Sequence, residues 1–205
     1  MTDTSRQSSL PLPSQRLARG SDAPAISELM RASVLDLFPH FYDERQTASS
    51  ALYIAHLDAR LIEDGTYFVH EADGEIVACG GWSRRNKLYT GSGSLGDDER
   101  LLDPATEPAR AARSHASRIA RPRPRRVQSP RTNIARTRAE GFKKLVLGAT
   151  LPGEPLYRAF GFREIERFMV TMPDGVSVEA VAMERSIEPV ADGHAESRPA
   201  AMDTA

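Results

Sequence analysis

Ten arginines fall between Arg110 and Arg138, with no acidic residue among them. A guanidinium is a rigid, planar fork of donors that grips phosphate oxygens two at a time. Arg121, Arg123, Arg125 and Arg126 are spaced to meet one polyphosphate or another polyanion side by side. No aromatic residue is interleaved among them, which argues against base stacking and so against nucleic acid as the usual partner. A second run of interest follows: Leu156-Tyr157-Arg158-Ala159-Phe160-Gly161-Phe162, after the apolar segment Lys143 to Thr150. It reads as a buried strand, a short helix that carries a tyrosine, and a Gly-Phe stop.

Other arrangements of reactive side chains are weaker. His40, His56, His70, His115 and His194 are scattered without metal-ligand spacing, and Cys79 has no CxxC partner, so no metal is expected. Cys79 reads as a small core residue on a strand. Neither Gly-x-Ser-x-Gly nor a Walker motif occurs. Gly91-Ser92-Gly93-Ser94 lacks the lysine of a phosphate loop, and Asp97, Asp98 and Glu99 read as a solvated turn.

The elements that must position these residues can be traced from patterning. Leu17 to Arg19 suggests a short first strand. Ser21 or Asp22 can cap a helix with Pro24 in its first turn, and Ile26, Leu29, Met30, Val34 and Leu37 give that helix one apolar face before Pro39 ends it. A second helix is expected from Thr47 to Glu63, with Leu52, Leu57 and Leu61 inward. Thr66 to His70 and Ile76 to Trp82 form a hairpin around Asp73-Gly74. Two further strands, Phe162 to Thr171 and Ser177 to Arg185, flank Pro173-Asp174-Gly175. The fold class is therefore α/β, a mixed, mostly antiparallel sheet with flanking helices.

The chain has 205 residues, 40% of them hydrophobic, with a formal net charge of −1. That suits one domain over residues 16–187, with a disordered lead at 1–15 and a disordered tail at 188–205. No apolar run is long enough to span a bilayer, and the polar N-terminus does not read as a secretory signal, so no membrane partner is expected. A single cysteine suits the reducing cytoplasm. The oligomeric state stays open between monomer and homodimer.

The element order, with Leu156 to Phe162 following a buried strand, resembles the GNAT superfamily of acyl-CoA-dependent N-acetyltransferases over residues 16–108 and 140–187. The resemblance implies transfer of an acetyl group from acetyl-CoA to the amine of a small-molecule or peptide acceptor. It implies that Tyr157 protonates the leaving thiolate. A phenol, pKa about 10, is close enough to a thiol, about 8.5, to hand over that proton. Tyr67 and Trp82 are the candidates for the acceptor pocket, with a hydrophobic sheet face as the other reading of the pair. The family's phosphate signature, Arg/Gln-x-x-Gly-x-Gly/Ala at a helix N-terminus, is absent: no glycine lies between Gly96 and Gly141. Residues 109–139 are atypical. Ala111 to Ala120 shows no β-rich alternation, and Pro122, Pro124 and Pro130 should break the following helix.

Three accounts of the segment stand side by side. Its Arg/Ala/Pro/Ser bias is that of a GC-rich gene read out of frame, with spacing kept by compensating frame errors. It can instead be a genuine basic segment, with Arg123, Arg125 and Arg126 replacing the lost backbone cradle for acetyl-CoA. The same segment would also serve a non-catalytic module or pseudoenzyme that binds RNA or another polyanion. The third account is a solvated insertion. Without the glycine cradle, acetyl-CoA binding is expected to be weak or absent.

Overall fold

The computed structural model describes residues 14–86, 100–116 and 129–188. The elements in order are β1 (Ser14–Leu17), α1 (Ala23–Leu37), α2 (Glu44–Tyr53), α3 (Ala59–Glu63), β2 (Tyr67–Ala72) and β3 (Glu75–Ser83). There follow β4 (Ala109–Ala116), α4 (Ser129–Ala139), β5 (Lys144–Thr150), α5 (Glu154–Ala159), β6 (Arg163–Thr171) and β7 (Ser177–Ser186). One seven-stranded sheet runs β1-β2-β3-β4-β5-β7-β6. Every neighbouring pair is antiparallel except β4 with β5. This is the mixed, mostly antiparallel sheet that the patterning implies.

Both hairpins form where their turn residues place them. Asp73 and Gly74 have φ of 52° and 83°, the pair of positive values that a tight two-residue turn between twisted strands needs. Helix α1 buries Ile26, Leu29, Met30 and Val34 along one face, with Pro24 in its first turn. Asp22 occupies the capping position, but its carboxylate accepts from the Arg16 guanidinium and the Arg19 amide rather than from the helix.

The second helix departs from expectation. It begins earlier, under a reciprocal cap between Asp43 and Gln46, stops at Tyr53, and resumes as α3 under Asp58. Thr47 and Ser50 face inward together with Ile54, so Leu52 points outward and is 60% exposed. At the N-terminus, Ser14 and Gln15 already belong to β1; residues 1–13 and 189–205 lie outside the described residues.

The larger correction concerns the central segment. A fourth strand exists and fills its place between β3 and β5. Its alanines and arginines have little β preference of their own. Pairing along β3, from Ser83↔Arg110 to Ala78↔Ala116, holds them extended. Helix α4 also forms: Pro130 is its second residue, where the missing N–H has no intrahelical bond to break. Pro122 and Pro124 precede the helix and lie outside the described residues.

The sheet carries a core on each face. Tyr67, Val69 and Cys79 pack with Ile26, Met30 and Val34 of α1. Phe68, between Tyr67 and Val69, faces the other way, where the Arg136 guanidinium of α4 lies 5.0 Å above its ring. On that second face Trp82, Ile134, Phe142, Leu145, Leu147, Tyr157, Phe162 and Met183 form the other cluster.

Candidate active site

Strands β4 and β5 pair only at Ala109↔Leu145 and Arg110↔Val146. Both strands continue, β4 to Ala116 and β5 to Thr150, without further pairing. A bulge accounts for part of the divergence. Between Cys79↔His115 and Gly81↔Ala112, β4 takes three residue steps against two on β3. An extra residue bends and twists its strand, here the strand that borders the gap.

The gap opens into a cavity of about 300 Å³ that reaches both faces of the sheet. Ser33, Leu37, Phe38 and Ile54 line it from the α1–α2 layer; Asn133, Ile134, Tyr157 and Phe160 line it from α4 and α5. Its lining is mostly apolar, with a few polar groups set among aliphatic and aromatic side chains, which is the usual make-up of a small-molecule site.

Tyr157 is anchored across the gap. Its hydroxyl oxygen accepts the Ser114 backbone N–H at 3.2 Å, so α5 and β4 are joined across the gap. This bond uses an oxygen lone pair and not the phenolic hydrogen. The ring packs edge-on against Phe162, centroids 5.7 Å apart. Gly161 (φ 80°) makes the turn that brings Phe162 back beneath it, and Phe162 N–H donates to the Tyr157 carbonyl.

Helix α5 is fastened at both ends. Before it, the Leu151 amide donates to the Tyr42 hydroxyl at 2.8 Å, and that hydroxyl donates to the Glu179 carbonyl of β7 at 2.7 Å. After it, the Arg185 guanidinium donates to the Phe160 carbonyl, placing a cation at a helix C-terminus where it is favoured. Burial and the neighbouring Arg138 hold the Arg185 pKa below the ordinary guanidinium range.

Of the residues singled out in the sequence, Tyr157 and Trp82 meet at this cleft. Trp82 is 1% exposed, packs edge-on against Phe142, and its Nε1–H has no hydrogen-bond partner among the described residues. Tyr67 sits one layer back in the α1 core, its hydroxyl donating to Cys79 Sγ at 3.4 Å; Cys79, not Tyr67, lines the cleft. Burial pushes the Cys79 thiol up to about 11, so it stays protonated at neutral pH.

Arg123, Arg125 and Arg126 lie outside the described residues, as do Gly91–Ser94 and Asp97–Glu99. Three other arginines of the basic stretch serve the fold. Arg110 donates to Asn86 Oδ1 at 3.0 Å, Arg138 donates to the Ile187 carbonyl at 2.6 Å, and Arg136 covers Phe68. Among the described residues no group of His, Cys, Asp and Glu could hold a metal ion, and no helix is long and apolar enough to cross a membrane.

Sequence patterning misses Ser114, Tyr42 and Arg185, and weighs His115 only as a metal ligand. Ser114 contributes a backbone amide, which has no residue-type signal. His115 stands in a strand that shows no strand pattern. Tyr42 and Arg185 act over 109 and 25 residues of separation, beyond any local motif.

No family profile matches the chain, and no curated protein matches it either. Solved structures do. A GCN5-related N-acetyltransferase from Rhodopseudomonas palustris superposes with a TM-score of 0.55 at 16% identity, covering 86% of this chain and 97% of that one. A GNAT-superfamily phosphinothricin acetyltransferase from Sinorhizobium meliloti, in complex with AcCoA, gives 0.55 at 20%, covering 86% and 89%. A ribosomal-protein-alanine N-acetyltransferase from Brucella melitensis gives 0.54 at 15%, covering 84% and 99%. At these identities the likeness is one of fold.

Proposed function

From the GNAT fold, which this chain has, we propose that it transfers an acetyl group from acetyl-CoA to an amine, with Tyr157 as the acid that protonates the leaving sulfur. The observation that carries this reading is the Tyr157 hydroxyl held against the Ser114 amide, at the point where β4 and β5 part. Acetyl-CoA is a substrate here. The slot between the strands suits its thioester end, being mostly apolar and lined from both faces of the sheet.

The amine nitrogen attacks the thioester carbonyl carbon, the C–S bond breaks, and the thiolate takes the Tyr157 proton. Cys79 lines the cleft but is held as the thiol, so it offers no nucleophile for a covalent acyl-enzyme. That supports direct transfer. The α1-side wall would contact the acceptor, while Trp82 lines the cleft from the Tyr157 side. Tyr67 supports that wall from behind through Cys79.

Donor binding is the weak step. A glycine-lined turn lets backbone amides approach a pyrophosphate closely, and the segment from Ser117 to Gln128 holds no glycine. Arg123, Arg125 and Arg126 are the side chains that would meet the phosphates in its stead, each as a fork on phosphate oxygens.

The test is release of free CoA thiol on mixing the full chain, acetyl-CoA and a panel of amines, with calorimetric titration of acetyl-CoA in parallel. Amine-dependent release with a dissociation constant for the donor well above the low-micromolar range is the expected result. No release above the hydrolytic background with any amine overturns the reading. Low-micromolar affinity would overturn the weak-donor part and assign the grip to the arginines.

A further inference from the structure

An alkyl amine reaches neutral water as its ammonium, pKa about 10.4, and cannot attack until a proton leaves. Among the described residues that line the cleft, the titratable side chains are Cys79, His115 and Tyr157; no carboxylate lines it. Burial keeps Cys79 a thiol, and Tyr157 serves the sulfur. His115 is the remaining group, and an imidazole, ordinarily near 6.5, accepts protons at neutral pH.

Its placement suits the part. His115 lies opposite Cys79 in the β3–β4 register, so both leave the sheet toward α1. Ser114, one residue earlier, lies against Gly80 on the other side and holds the Tyr157 hydroxyl. His115 thus leaves the sheet on the α1 face, while Tyr157 comes from α5 and packs in the core of the other face. One stands where a nucleophile would enter and the other where a leaving group would exit. The wall beside His115 is Leu37, Phe38 and Ile54, with Ser33 as its hydroxyl. No Lys, Arg, Asp or Glu among the described residues lines the cleft to pair with a charged acceptor body.

We propose that His115 is the general base for an acceptor amine carried on an apolar body; the proposal rests on the acetyl-transfer reading. Two protons leave the nitrogen. His115 takes the first, from the ammonium, and releases it to solvent. The second, lost as the amide forms, replaces the proton that Tyr157 gives to sulfur.

The experiment uses the full chain with acetyl-CoA and two probes, benzylamine and aniline. Benzylamine is an ammonium at pH 7, whereas aniline is already neutral. In the unsubstituted chain, kcat on benzylamine should fall as the pH is lowered; absence of that limb overturns the proposal without any variant. H115Q and H115N should lose the limb and fall about 10²-fold on benzylamine. Their benzylamine-to-aniline ratio should drop at least about tenfold. Equal falls on both probes would show a structural role and overturn the base. Turnover of lysine or glutamate above that of benzylamine would overturn the apolar acceptor. No turnover with any amine overturns the acetyl-transfer reading and the base with it.

Discussion

The Tyr157 hydroxyl accepts the Ser114 backbone amide at 3.2 Å, closing by one hydrogen bond a gap that the sheet leaves open beyond Arg110 and Val146. The bond fixes the phenol in the slot through its oxygen while the ring leans on Phe162. Position and proton therefore belong to different parts of the same hydroxyl group. Tyr157→Phe keeps the ring and removes both. We expect kcat to fall about 10²-fold or more, the usual range for a lost general acid, with acetyl-CoA affinity little changed. Steady-state rates and calorimetry separate the two. A fall confined to donor affinity would make Tyr157 a binding residue instead.

Tyr42 acts on the same helix from the opposite layer. Its hydroxyl is shared by the Leu151 amide and the Glu179 carbonyl, and the residue is buried. Tyr42→Phe leaves both backbone groups short of a partner. Urea unfolding should show a loss of about 1–3 kcal/mol. Because Leu151 leads into α5, kcat should fall more than KM rises. A variant as stable as the parent would mean that water takes up both bonds.

How much of this could be read from residues alone depends on where each signal lives. Asp73-Gly74 and Gly175 mark their turns because only certain residues accept positive φ, a local matter. The apolar face of α1 is likewise local. β4 is held by its neighbours: Ala109, Ala111 and Ala112 carry no strand preference, and pairing with β3 supplies the conformation. The inward face of α2 escapes leucine patterning because Thr47 and Ser50 occupy it while Leu52 lies outside. At the site, Tyr157 was legible because Gly161-Phe162 follows it. The cleft was not, since it arises where β4 and β5 stop pairing, a matter of strands distant in sequence.

His70 predicts an acid-sensitive fold. It is 1% exposed in β2, neither ring nitrogen has a hydrogen-bond partner among the described residues, and burial pushes its pKa down to about 4. The unfolded chain takes up this proton near pH 6.5, the fold only near 4. Stability is therefore whole above about pH 6.5 and is lost as pH falls toward 4. At about 1.36 kcal/mol per pKa unit the loss is capped at about 3 kcal/mol. His70→Leu should flatten the dependence of the urea midpoint between pH 7.5 and 4.5. An unchanged slope would place the acid sensitivity in other groups.

Gly80 and Gly81 separate stability from positioning. A Cβ on Gly81 would lie 2.3 Å from the Thr66 carbonyl oxygen and 2.8 Å from the Tyr67 ring. Neither can retreat without opening the β2–β3 hairpin, so Gly81→Ala should cost about 1–3 kcal/mol of stability. A Cβ on Gly80 meets Ser114 instead, at 2.6 Å from Oγ and 3.3 Å from Cα. The hydroxyl can rotate away, but the residual crowding pushes the β4 bulge outward and carries the Ser114 amide off the Tyr157 oxygen. Gly80→Ala should thus unfold near the parental midpoint yet lose roughly tenfold in kcat, since small misplacements of a catalytic group are costly. Adding Ser114→Ala, which removes Oγ and keeps the amide, should restore part of that rate. If Gly80→Ala keeps full activity, the Ser114–Tyr157 bond is not what positions the acid. If the second substitution restores nothing, the crowding acts through the backbone alone.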